Sequence, residues 1–94
     1  MTAYVIAIRE KTHDAEALAA YSAAAALARR EDMEVLAAYG ACEALEGAPA
    51  EGVVLARFPD MEAGRAWFNS PEYQAARQHR LKGADYRFLL IQGR

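Results

Sequence analysis

Three arginines, Arg9, Arg57 and Arg87, each sit beside an apolar residue of a hydrophobic run: Ile8, Phe58 and Phe88. A guanidinium presents a rigid fork of donors that matches a carboxylate or a phosphate. Gathered at one end of a sheet, the three would frame a site for an anionic small molecule. Scattered, they would be solvated sheet-edge charges paired with Glu10, Glu46 or Asp85. Arg80 falls on a helix face with Tyr73 and Ala76, so its stem is expected to be partly buried. Glu46 is its expected carboxylate partner, and a direct ligand contact is the alternative. Proton donors or acceptors for a reaction would be Tyr39, Tyr86 and Glu46. Trp67 and Tyr73 read either as core aromatics whose polar tips find a partner or as ligand contacts.

Other chemistries find little support. His13, His79 and Cys42 fall in separate segments with no metal-ligand spacing, so no metal and no cofactor is expected. His13 beside a helix cap and His79 on an outer helix face read as solvated. There is no nucleophile elbow, phosphate loop or dinucleotide fingerprint. The formal charge of −2 with both signs interspersed gives no footprint for nucleic acid or an anionic membrane. The longest apolar stretch, 23–28, is too short to span a bilayer, and the first residues lack the pattern of a signal peptide. Cys42 as the sole cysteine permits no internal disulfide and reads as a plain strand residue. These features together predict a cytoplasmic protein.

The elements that must position these residues alternate along a chain of 94 residues, the length of one domain over 1–94. The β-branched and aromatic run 3–9 predicts a strand. Asp14 is a good N-cap for an alanine-rich helix over 15–30, with Leu18, Tyr21, Ala25 and Ala28 as its inward stripe and Arg29-Arg30 complementing its C-terminal dipole. Residues 34–39 and 41–46 read as two short strands around Gly40, and 47–52 as a loop. A strong strand follows over 53–58. Asp60 then caps a helix carrying Met61, Gly64 and Phe68 on one face. Ser70-Pro71-Glu72 repeats the start signal for a second short helix, ended by Gly83. Residues 85–92 form the last strand.

Collapsed, this order is the α+β ferredoxin-like pattern βαββαβ with a split second helix, an antiparallel sheet covered by helices on one face. With the first strand and 53–58 read as parallel neighbours, and the last strand antiparallel to the first, Arg9, Arg57 and Arg87 meet at one end. In the first and last strands both alternating sets are apolar: Tyr4, Ile6 and Ile8 with Val5 and Ala7, then Phe88 and Leu90 with Leu89 and Ile91. A half-covered sheet should show a polar set on its open face. The second face must therefore be covered, and a homodimer packed sheet to sheet covers it.

Several segments resemble the family described as domain of unknown function 1330, in the dimeric α+β barrel superfamily. They are Tyr4-Val5-Ile6, Asp14 to Tyr21, Leu45-Glu46-Gly47, Phe58-Pro59-Asp60-Met61-Glu62-Ala63, and above all Ala66-Trp67-Phe68-Asn69-Ser70-Pro71-Glu72-Tyr73-Gln74-Ala75 with Arg80. The chain departs at Asp32-Met33-Glu34, where members commonly carry glycines, and at Leu18, often aromatic. The resemblance implies a dimeric barrel with a pocket between sheet and helices, and no agreed activity. Related barrels include cofactor-free monooxygenases, isomerases and haem-degrading oxygenases. The last need an iron-ligating histidine where this chain has Arg77.

Two function classes follow. The first is a homodimeric binding module for a small, partly apolar organic molecule, with or without an anionic group, contacted by residues among Arg9, Tyr39, Arg57, Trp67, Tyr73, Arg80, Tyr86 and Arg87. The second is a cofactor-independent monooxygenase or isomerase acting on a small organic acid or phenol. The residues do not decide whether the chain is an enzyme.

Overall fold

The computed structural model describes residues 1–94. Its elements are β1 (Ala3–Thr12), α1 (Ala15–Leu27), β2 (Glu34–Ala38), β3 (Gly52–Phe58), α2 (Met61–Phe68), α3 (Pro71–Gly83) and β4 (Ala84–Gln92). One four-stranded sheet has the order β2-β3-β1-β4, and every neighbouring pair is antiparallel. This is the α+β ferredoxin-like arrangement, with the second helix broken in two.

Caps fix where the helices begin. Asp14 accepts from the backbone N–H of Glu16 at 3.0 Å and of Ala17 at 3.3 Å. Asp60 accepts from Ala63 N–H at 2.8 Å. The break between α2 and α3 is Ser70-Pro71: Ser70 Oγ donates to the Trp67 carbonyl at 2.7 Å and accepts from Tyr73 N–H at 3.2 Å, closing one helix and opening the next. Gly83 O accepts from His13 and Asp14 N–H at 2.7 and 3.0 Å, which ties the start of α1 to the end of α3.

Three local expectations are corrected. α1 stops at Leu27, because Ala28 N–H turns to Ala25 O at 3.0 Å and closes the last turn early. Arg29 and Arg30 lie past the cap, and Arg30 pairs with Asp32 at 3.0 Å instead of completing the dipole. The second short strand is absent. Tyr39 takes a left-handed backbone (φ +58°), leaves the extended path, and sends 40–51 into a loop on which Cys42 is exposed.

The third correction changes the site. β1 and β3 are antiparallel, not parallel, with Ala3 opposite Phe58 and Arg9 opposite Gly52. The cause is connectivity. The α1 crossover returns β2 parallel to β1, the β2–β3 loop reverses the chain, and β3 slots between them running against both.

The helix-facing side of the sheet carries Ala3, Val5 and Ala7 from β1, Val54, Ala56 and Phe58 from β3, and Phe88 and Leu90 from β4, all in register. The core closes around Phe58 and Tyr73, both fully buried, with Trp67, Tyr21 and Ala76. Burying a side chain the size of Phe58 contributes roughly 1.5–3 kcal/mol. Gly64 lets α2 approach β4, since a Cβ there would lie 2.7 Å from Leu90 Cδ1.

The opposite side carries Tyr4, Ile6, Ile8, Val53, Leu55, Leu89 and Ile91, with nothing of the chain over it. Leu89 is 44% and Ile91 54% exposed. The molecule is a slab only 17 Å thick along its shortest axis, one sheet and one helix layer.

Candidate functional site

α1 packs chiefly along α3 rather than directly on the sheet, and the residues it turns inward are mostly alanines. The sheet floor beneath is also small: Ala7, Ala38 and Ala56 alternate with Val5, Val35 and Val54. Alanine stripes face each other across a gap that neither can fill, and a cleft of about 460 Å³ results. Its size suits a small organic molecule. Ser22, Ala25 and Ala26 of α1, with Arg29 just past its end, form the roof, Met33 a flank, and Trp67, Phe88, Tyr21 and Tyr39 the ends and walls.

Two tyrosine pairs border this space. Tyr21 and Tyr73 join hydroxyl to hydroxyl at 2.9 Å in the core. Tyr39 and Tyr86 do the same at 2.6 Å nearer the surface. Gly52 makes room for the second pair, since a Cβ there would lie 2.5 Å from Tyr39 Cδ1. Burial pushes the Tyr21 phenol well above its ordinary range, reinforced by Tyr73. Burial likewise raises Tyr39, helped by its bond to Tyr86. Tyr73 is raised by burial too, although its bond to Tyr21 and the nearby Arg80 charge pull the other way. All three keep their protons at neutral pH.

Trp67 lies at the centre of an aromatic cluster, its ring centroid 4.2 Å from Tyr73 and 5.7 Å from Phe58. These contacts fix the indole plane. Trp67 is only 6% exposed, and its Nε1–H has no acceptor in the protein. A buried donor left unpaired costs about 1–3 kcal/mol, so its persistence calls for a reason.

The expected arginine frame is not formed. Arg57 faces Tyr4, five residues along β1 from Arg9, so the two lie about 17 Å apart along the strand. Arg57 sits on the uncovered face and pairs with Glu34. Arg9 lies at the far end, paired with Glu51 at 3.2 Å, its guanidinium over the Tyr39 ring at 4.8 Å. Arg87 is at that end too, opposite Ile8, but it is exposed on the uncovered face. Glu51, omitted from the expected partners, is held below its ordinary range, chiefly by bonds from Thr12 and in part by Arg9.

Arg80 is buried as expected, at 5% exposure, but its carboxylate is missing. It forms no ion pair, and Glu46 is out on the exposed loop. Its guanidinium carbon instead lies 4.4 Å from the Phe88 centroid and 5.4 Å from that of Tyr86, and its Nε has no hydrogen-bond partner. His13 is exposed as expected yet meets Asp85 at 3.0 Å. His79 is exposed, and no three histidine, cysteine or acidic side chains converge.

Of the expected site residues, Tyr39 and Trp67 line the cleft, and Tyr73, Tyr86 and Arg80 stand immediately behind its walls. Arg9 abuts Tyr39, whereas Arg57 and Arg87 belong to the other face. Sequence reasoning missed the roof and floor, from Ser22 and Ala25 to Met33, Val54 and Phe88. The signal was present in the alanines of α1, whose inward stripe holds side chains too short to reach the sheet.

The chain belongs to the family described as Domain of unknown function (DUF1330), which it matches over residues 2–94. No curated protein matches the sequence. Among solved structures it is similar to RPA0582, a protein of unknown function from Rhodopseudomonas palustris, at 20% identity and TM-score 0.77 over 99% of this chain and 82% of that one. It is also similar to a dimeric ferredoxin-like protein of unknown function from Thermobifida fusca, at 18% identity and TM-score 0.71 over 99% and 92%. A third similar structure is SnoaB, a cofactor-independent oxygenase from Streptomyces nogalater, at 16% identity and TM-score 0.59 over 99% and 92%. At these identities the likeness shows the fold alone. No helix is long and apolar enough to cross a membrane.

Proposed function

We propose that this member of the DUF1330 family is a homodimeric binding protein of the cytoplasm that holds a small, largely apolar organic molecule in the cleft between α1 and the sheet of each subunit. The cleft carries the reading: about 460 Å³ of space with thirteen hydrophobic residues among the fifteen that line it. Burying a ligand's apolar surface there contributes about 25 cal/mol per Å². An anionic group finds little inside. Arg9 and Arg57 are paired, and among the cations only Arg29 lines the space.

The dimeric part of the reading rests on the uncovered apolar face of β1, β3 and β4, and it agrees with the dimeric relative from Thermobifida fusca. Two such faces packed together would reach the roughly 1,200–2,000 Å² of a standard interface. The enzymatic reading is less well supported. The tyrosines of the cleft are held protonated, so they are hydrogen-bond donors rather than bases at neutral pH.

Native mass spectrometry of the protein purified from its own host tests this. The expected species is a dimer, twice the 10.3 kDa chain, carrying a small organic mass that is lost in Ala26→Phe, where a ring fills the cleft. A monomer overturns the assembly. A bound mass that survives Ala26→Phe overturns the cleft.

A further inference from the structure

The floor of the cleft is laid in rows across the sheet. Val35, Ala56 and Val5 are register partners in one row, and Ala38, Val54, Ala7 and Phe88 in the next. The row after that is Gly52, Arg9 and Tyr86, on the same helix-facing side. Tyr39 lies across it. The ring covers Gly52, where a Cβ would come within 2.5 Å of Tyr39 Cδ1. The Arg9 guanidinium is 4.8 Å from the ring centre, and the hydroxyl meets that of Tyr86 at 2.6 Å. One side chain, rooted just past the end of β2, therefore spans from β3 toward β4 where the floor stops. At the other end Trp67, packed on Phe58, closes the space.

This placement is held against backbone preference. Tyr39 has φ +58°, a left-handed conformation that is costly for a bulky residue. Such strain persists where the surroundings over-determine it, and it concentrates at ligand clamps and active sites. Here three separate features fix the ring: the bare backbone of Gly52, the Arg9 cation and the Tyr86 hydroxyl. Tyr39 is 39% exposed, so its outer side meets solvent while its inner side lines the cleft. We infer that Tyr39 is the end stop of the cleft, the residue that sets how long an occupant the protein accepts. The inference rests on the binding function proposed above and adds what limits its ligand. With the ring removed, the cleft would run on over Gly52 and out to solvent.

Straight-chain primary alcohols from butanol to decanol, titrated by NMR on the amides of Ala25 and Val54, test the claim. Each methylene buried in an apolar space raises affinity about fourfold. Wild-type affinity is expected to climb at that rate and to level off at a definite chain length. Tyr39→Gly removes the ring and suits the left-handed backbone, so its affinity is expected to climb for several carbons beyond that length. Tyr39→Phe keeps the ring and is expected to level off where the wild type does. Gly52→Ala pushes the ring from its seat and is expected to change the limiting length. A wild type that climbs through the whole series, or a Tyr39→Gly variant that levels off at the wild-type length, overturns the end stop and leaves the cleft reading standing. A Tyr39→Phe variant that behaves as Tyr39→Gly also overturns it, because the ring would then not be what limits the occupant. Alcohols that move neither amide overturn both readings. If Tyr39→Gly fails to fold, an unchanged limiting length in Gly52→Ala overturns the inference in its place.

Discussion

The guanidinium carbon of Arg80 lies 4.4 Å from the centre of the Phe88 ring, and no carboxylate pairs with it. This buried cation is held by the faces of Phe88 and Tyr86 and by the Tyr73 hydroxyl beside it. Two opposing effects follow. The ring contacts stabilise by about 0.5–2 kcal/mol, while the buried Nε left without an acceptor costs about 1–3 kcal/mol. Arg80→Met keeps the stem and removes both, so urea unfolding should place it within about 1 kcal/mol of the wild type. Arg80→Ala also leaves a cavity and should lose about 2–3 kcal/mol. A methionine variant as destabilised as the alanine one would mean that the contacts of the charge outweigh the cost of burying it.

The tyrosines make stability sensitive to alkali. A phenol in the unfolded chain titrates near 10.0, and burial holds Tyr21 above that value in the native state. Below the unfolded value both states are protonated, and this contribution is fully present. As pH rises beyond it, the unfolded chain releases a proton that the native one retains, and stability falls by up to about 1.4 kcal/mol per pH unit for each such group. Unfolding free energy should therefore show no tyrosine-linked change from pH 7 to 9 and should decline above 10. The decline should be shallower in Tyr21→Phe, as measured by denaturant titration across that range. An identical alkaline slope in the variant would contradict the assignment.

The fold was largely legible, and particular residues show why. Asp60 and Ser70-Pro71 are local signals, and both helices begin where those caps place them. The doubly apolar strands marked a sheet whose second face has no cover within the chain. Strand direction was misread because it follows from connectivity rather than from any residue, and the arginine frame went with it. The left-handed Tyr39 left no mark in the sequence, since tyrosine is an ordinary strand former. The site was half legible: Trp67 and Tyr39 stood out by type. The cleft did not, because hydropathy counts alanine as core while its volume leaves space.

The uncovered sheet face gives a third expectation. Leu89 is 44% exposed there, so in a monomer Leu89→Asp should change little. In the proposed dimer it places a charge within the interface, where an unpaired charge is costly. Sedimentation at micromolar concentration should show a wild-type dimer and a folded monomeric variant. A monomeric wild type would contradict the sheet-to-sheet assembly, as would a variant that stays dimeric.

The central claim is that the space between α1 and the sheet binds an apolar molecule, and equilibrium binding of the uncharged dye Nile red measures it most directly. The account predicts one dye per chain for the wild type, and loss of that binding in Ala26→Phe, whose circular dichroism and dimer mass should be unchanged. Dye binding that persists with the cleft filled, or a wild type that takes up none, would contradict it.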